Sequence, residues 1–125
     1  MKNLILAAAL IFATSAAAHE MTPTYPKFDL SYVEGVVVTK MKLWNRRQDV
    51  QYYEITVVDK MWEPLPFATS ERLIQVDFLE TVTFDVYIKK EDLKNVEYIC
   101  TTSKQLKDDV LSTGVKSMIC SRIAR

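Results

Sequence analysis

The pattern that most restricts this chain is a period of two. From Val36 to Trp44, the residues Val37, Thr39, Met41 and Leu43 alternate with Lys40 and Lys42. From Val50 to Val58, Tyr53, Ile55 and Val57 alternate with Glu54 and Thr56. From Thr81 to Lys89, Val82, Phe84, Val86 and Ile88 alternate with Thr83, Asp85 and Lys89. Successive side chains of a strand point to opposite faces, so each segment presents one apolar face and one wetted face. Composition agrees. Residues 19–125 are rich in Val, Ile, Thr and Tyr and hold only two alanines, Ala68 and Ala124. That is strand composition, and it argues against a helix bundle.

Four more segments complete the set. Phe28 to Val33 is expected as a strand ended by Glu34-Gly35, Arg72 to Phe78 as another, then Val96 to Ser103 and Val115 to Ile123. Asn45 to Asp49 is a polar turn, and Asp59 to Pro66 is a loop with two prolines. Glu91 to Lys94 suits one helical turn. Lys104 to Gly114 is a connection that allows a short helix stopped by Gly114. Seven short strands with closely spaced turn signals predict an all-β protein, a seven-stranded β-sandwich over residues 28–125. Residues 19–27, with Pro23 and Pro26, are expected as an extended, poorly fixed N-terminal arm.

Residues 1–18 read as a signal peptide. Lys2 is followed by the apolar run Leu4 to Ala13 and then by Ala16-Ala17-Ala18, a cleavage site of the A-x-A kind. The apolar run is too short for a transmembrane anchor, which needs roughly 20 residues. No Cys follows the site to carry a lipid. The expected location is the periplasm or the exterior of a bacterial cell. Cys100 and Cys120, the only cysteines, both lie in the exported part, where a disulfide bond is permitted. The alternative is a pair of buried thiols. A bond would join the last two strands as an antiparallel hairpin, with Thr102 opposite Met118 and Tyr98 opposite Arg122.

Several segments taken in order resemble a known family: Val33-Glu34-Gly35, Lys42-Leu43-Trp44-Asn45, the run Tyr52 to Asp59, and Leu65-Pro66-Phe67. This order is similar to the N-terminal immunoglobulin-like domain of periplasmic pilus-assembly (PapD-like) chaperones, over roughly Phe28 to Ser103. The resemblance implies an immunoglobulin-like β-sandwich and a chaperone-like role in protein binding. It also marks departures. Those chaperones have two domains, and one is expected here. Their first strand supplies a basic anchor for a subunit's carboxylate, where this sequence has Leu30. A second anchoring lysine would correspond to Lys116. Tyr98-Ile99-Cys100 resembles the Tyr-x-Cys of a tyrosine corner, without a partner Cys on the second strand.

Catalytic chemistry finds little support. One His, His19, and two glycines leave no triad on ordinary terms and no glycine-rich phosphate loop, so the chain is not expected to be an enzyme or to need a cofactor. Balanced charge, 16 Lys+Arg against 16 Asp+Glu, speaks against nucleic-acid binding. Two surfaces stand out. Trp44, Arg46, Arg47, Tyr52 and Trp62 make an aromatic and basic group around a turn, a composition common at binding hot spots. The final strand, with Lys116 and Ile119, ends the sequence and offers an edge for a partner strand. The expected function is an exported protein-binding or structural module in the assembly of a periplasmic or surface complex. The alternative is a small ligand or copper carrier. Cleavage after Ala18 would leave His19 with a free amine, and amine plus imidazole chelate Cu(II), with Met21 adding a thioether.

Overall fold

The computed structural model describes residues 18–105 and 116–125. The segment expected to be a signal peptide, apart from Ala18, and most of the Lys104–Gly114 connection lie outside these residues. The strands are β1 (Glu20–Thr22), β2 (Asp29–Leu30), β3 (Val36–Trp44), β4 (Tyr52–Val58), β5 (Leu73–Gln75), β6 (Thr81–Lys89), β7 (Tyr98–Lys104) and β8 (Met118–Arg122). A 3-10 turn, Lys90–Asn95, links β6 to β7. In one sheet β3 pairs antiparallel with β6 over its whole length, while β1 and β2 pair with its other edge. The second sheet has the order β5-β4-β7-β8. Two antiparallel sheets packed face to face make an immunoglobulin-like β-sandwich.

The period of two becomes the core. Val37, Met41 and Leu43 of β3 meet Phe84, Val86 and Ile88 of β6 on the inner face of their sheet, and all six are buried. Tyr53, Ile55 and Val57 of β4, with Ile99 of β7, face them from the other sheet. Each fully buried aliphatic side chain is worth roughly 1.5–3 kcal/mol against exposure, which is why the alternation dictates the sheets. The hairpin β7–β8 has the expected register: Tyr98 opposes Arg122, Cys100 opposes Cys120 and Thr102 opposes Met118. Cys100 and Cys120 are joined, with Cα atoms 4.1 Å apart.

Three expectations change. An eighth strand is present, because residues 20–22 of the expected arm pair with Trp44, Leu43 and Lys42 of β3. That segment is therefore part of the sandwich at its start, and Met21 is buried in the core. The strand expected over Phe28 to Val33 shrinks to two residues. Ser31 turns the chain there, its hydroxyl donating to the carbonyl of Val36 at 2.6 Å and accepting from the Val33 N–H at 3.1 Å. Gly35 then adopts a φ of 76°, a left-handed conformation that suits glycine. The strand expected over Arg72 to Phe78 stops at Gln75, and a turn closed by the Glu80 N–H on the Asp77 carbonyl follows.

Because the disulfide closes a loop of 20 residues, replacing both cysteines by alanine should lower the unfolding free energy by about 3 kcal/mol in the chain-entropy account. Urea denaturation of the oxidised protein and of the Cys100→Ala/Cys120→Ala variant measures this. A loss below about 1 kcal/mol would show that the hairpin is held by its ladder alone.

Candidate functional site

The loop after β3 begins with a buried amide. Asn45 is fully buried, and its Nδ2 donates to the carbonyls of Val50 at 2.7 Å and Val76 at 2.8 Å. Its Oδ1 accepts the Arg47 N–H at 2.9 Å and the Tyr53 hydroxyl at 2.6 Å. Every hydrogen-bonding position of the amide is used, so its burial carries no desolvation debt. Burial pushes the Tyr53 hydroxyl up to about 12, with Arg47 opposing, so it stays a donor.

Tyr53 connects this amide to the end of the sandwich where β1 meets β7 and β8. The His19 ring lies against it at 4.5 Å between centroids. His19 is 2% exposed, with Nε2 at 2.9 Å from Thr101 Oγ1 and 3.2 Å from the Thr101 carbonyl. Its Nδ1 lies 3.1 Å from Ser117 Oγ. Desolvation lowers the imidazole from 6.5 to about 4, and the Arg47 charge works in the same direction. Arg47, 9% exposed, pairs with Asp49, its Nε donating at 2.9 Å, and the carboxylate raises its pKa further. Gln105 donates to the same carboxylate at 3.2 Å.

The expected site residues are dispersed by this arrangement. Arg46 lies over the Trp44 ring at 5.0 Å and pairs with Glu20 at 3.0 Å. Trp44 donates from Nε1 to the Leu79 carbonyl at 3.3 Å. Arg47 turns inward to Asp49, so it is no part of that surface. Tyr52 sits on the outer face of β4, and Trp62 lies at the far end of the sheet, stacked on Tyr98 at 4.6 Å and 5°. Tyr98 opposes Val58 while Tyr52 opposes Lys104, which separates the two by roughly 20 Å along the strands. The five residues therefore form no single group. Lys116 is exposed, whereas Ile119 is half-buried against the core. His19 and Met21 are not on an arm. Thr101 Oγ1 donates to Met21 Sδ at 3.7 Å, and both imidazole nitrogens are engaged, so copper would have to displace Ser117 or Thr101. Among the described residues no group of three or more His, Cys, Asp or Glu could hold a metal ion.

The remaining feature is the edge of β8. The Ser103 N–H donates to the Ser117 carbonyl and the Ile123 N–H to the Glu97 carbonyl, each at 2.9 Å. In an antiparallel pair the bonded and non-bonded positions alternate. Ser117, Ile119, Ser121 and Ile123 therefore direct their backbone groups to β7. Met118, Cys120 and Arg122 direct theirs away from it, toward the side along which residues 19–26 run, and among the described residues no hydrogen bond to them is present. The next outward donor, the Ala124 N–H, is taken by the Pro26 carbonyl at 2.9 Å.

The sequence matches no known family profile and no curated protein. The fold does have counterparts among solved structures. The E. coli chaperone DraB superposes with a TM-score of 0.62 at 11% identity, covering 85% of this chain and 53% of that one. The Salmonella enterica SafA pilin complex with the SafB chaperone gives 0.62 at 10%, covering 89% and 55%. PapD-like domain 7 of human CEP192 gives 0.55 at 8%, covering 89% and 87%. This chain spans about half the length of the DraB chain and of the chain matched in the SafA–SafB complex.

Two expectations follow. The unfolded chain binds a proton at His19 below about pH 6.5, and the folded chain does not until about pH 4. Stability from this group is thus complete above pH 6.5 and is lost as the pH falls towards 4. Urea denaturation from pH 7 to 4 should show a fall that His19→Gln reduces; equal pH profiles would remove His19 as its source. Asn45→Ala, which orphans four buried partners, should cost at least about 3 kcal/mol, measured in the same way at pH 7.

These likenesses define the chain as a PapD-like immunoglobulin fold.

Proposed function

We propose that this protein is exported, is not an enzyme, and works by binding another exported protein through a strand added beside β8, in the assembly of a periplasmic or surface complex. The observation that carries this reading is the row of outward backbone groups at Met118, Cys120 and Arg122. Those groups lie on an edge whose inner neighbour is fixed by the Cys100–Cys120 bond. A strand added there gains main-chain hydrogen bonds on a template that is already ordered, so little entropy is lost on docking. Export is supported by the signal-peptide pattern and by a disulfide that an oxidising compartment maintains. No helix among the described residues is long and apolar enough to cross a membrane. The likeness to DraB and to the SafB complex supports the general class of partner, a protein.

The test depends on which N–H groups point outward. Proline at Ser121 would break the β7 ladder, because that N–H faces inward. Met118→Pro removes an outward donor, and Met118→Ala controls for the side chain. Crosslinking in the native cell, with the amount of partner recovered as readout, should show Met118→Pro reduced about fivefold or more relative to Met118→Ala. Arg46→Ala should leave it unchanged. Full recovery with folded Met118→Pro and loss with Arg46→Ala would move the site to the Trp44–Arg46 surface.

A further inference from the structure

The sandwich has another edge, on β6. The Tyr87 N–H and carbonyl exchange bonds with Ala68, each at 2.9 Å, so Tyr87 directs its backbone groups away from β3. The Glu80 carbonyl and the Lys90 N–H turn the other way, to Asn45 and Gly35. By the alternation of an antiparallel pair, Thr81, Thr83 and Asp85 share the direction of Tyr87. Among the described residues nothing hydrogen-bonds their outward N–H and C=O groups. β1 lies beside β8, whereas β6 and β5 stand on the opposite flank of the sandwich.

Ala68 covers this edge at Tyr87 only. From Thr69 the chain leaves β6 and crosses to β5 in the second sheet, where Leu73 opposes Glu54. Where the two diverge there is a groove of about 180 Å³. Thr69, Glu71 and Ile74 form one wall, and Val82, Thr83 and Phe84 the other. The space is too small for a drug-sized molecule, which takes about 300 Å³ or more, and it suits one aliphatic side chain against Ile74 and Phe84. Two polar groups of the first wall are unsatisfied. Thr69 Oγ1 is buried without a hydrogen-bond partner, which costs free energy until something bonds it. Glu71 is exposed and, among the described residues, in no ion pair, whereas the Asp85 carboxylate has Lys40 at 3.8 Å.

We infer that this groove is a second binding site, for a short extended segment of another protein that seats one aliphatic side chain between Ile74 and Phe84 and a basic residue beside Glu71. The segment's main chain pairs with the outward groups of Thr81, Thr83 and Asp85. One of its polar groups bonds Thr69 Oγ1. Each feature selects something different: the backbone row an extended chain, the groove the size of one side chain, and Glu71 the sign of the charge. The site lies across the sandwich from β8, so filling one leaves the other accessible, and the site does not depend on the β8 reading.

The probe is the capped peptide Lys-Thr-Ile-Thr-Lys, compared with the same peptide carrying Ala for Ile. Residues two apart share a face of a strand, so both lysines lie on the side of the Ile that enters the groove. Fluorescence anisotropy gives affinity, and amide signals in NMR spectra give location. The Ile peptide should bind about tenfold tighter than the Ala peptide, as burial of most of an aliphatic side chain allows. It should perturb the amides of Thr81, Thr83 and Asp85 and leave those of Met118, Cys120 and Arg122 unmoved. Thr83→Pro, which removes an outward N–H and no bond to β3, should weaken binding about fivefold or more relative to Thr83→Ala. Thr69→Val should raise the urea midpoint of the free protein yet weaken the peptide about threefold, a divergence that a merely structural hydroxyl does not produce. Glu71→Gln should weaken it about threefold at low salt and leave it unchanged at high salt. Equal binding of the two peptides, no binding, or perturbation at the β8 amides instead would overturn the site.

Discussion

The Asn45 amide is the contact on which the two sheets depend at one end of the sandwich. It stands where β3 leaves the first sheet, and its side chain reaches the chain entering β4, the chain leaving β5 and the hydroxyl of Tyr53. A buried amide is costly when partly satisfied and specifying when complete. Here it is complete, so only one arrangement of the Asn45–Val50 loop satisfies it. The backbone contributes to the same knot, since the Asn45 N–H donates to Glu80 and the Leu79 N–H donates to Asn45.

From that knot a chain of contacts runs to the edge strand. Tyr53 holds the His19 ring, His19 holds Thr101 and Ser117, and Ser117 opens β8. Residues 19–22 are therefore a structural part of the sandwich. A neutral imidazole is required here. A charged one would sit in a dry site beside the Arg47 guanidinium, and both burial and that charge oppose it. The Asp49 carboxylate keeps Arg47 satisfied without bringing a counter-ion to His19.

The parts of this fold legible in the sequence were those dictated by alternation and by chain closure. The bounds of β3 and β6 follow from an alternation that holds over nine residues each. The β7–β8 register follows from two cysteines that must oppose each other. What was hidden depends on distant partners. β1 has three residues flanked by Pro23, too short for a pattern to show, and it exists because β3 offers it an edge. Asn45, Thr101 and Ser117 each read alone as turn or wet-face residues; only the fold brings Asn45 to the Tyr53 hydroxyl and Thr101 and Ser117 to His19. Trp62 lies close to Trp44 in sequence, but a strand length separates them, and its φ of 64° belongs to the local turn over residues 59–63, where the Asp59 side chain accepts the Met61 and Glu63 N–H groups.

The disulfide and the outer edge of β8 are linked by the geometry of the ladder. Cys100 and Cys120 oppose each other at a non-bonded position, where the Cα atoms approach most closely. At such a position the backbone groups of both residues point away from the partner strand. The cross-link therefore stands at a residue whose N–H and C=O already face outward, and it uses none of the groups a partner needs. It also prevents a slip. A shift of β8 by one residue would turn Ile119 and Ile123 to solvent and bury Met118 and Arg122, and would direct a different row of backbone groups to the edge. The same bond that stabilises the hairpin thus determines which backbone groups the edge presents.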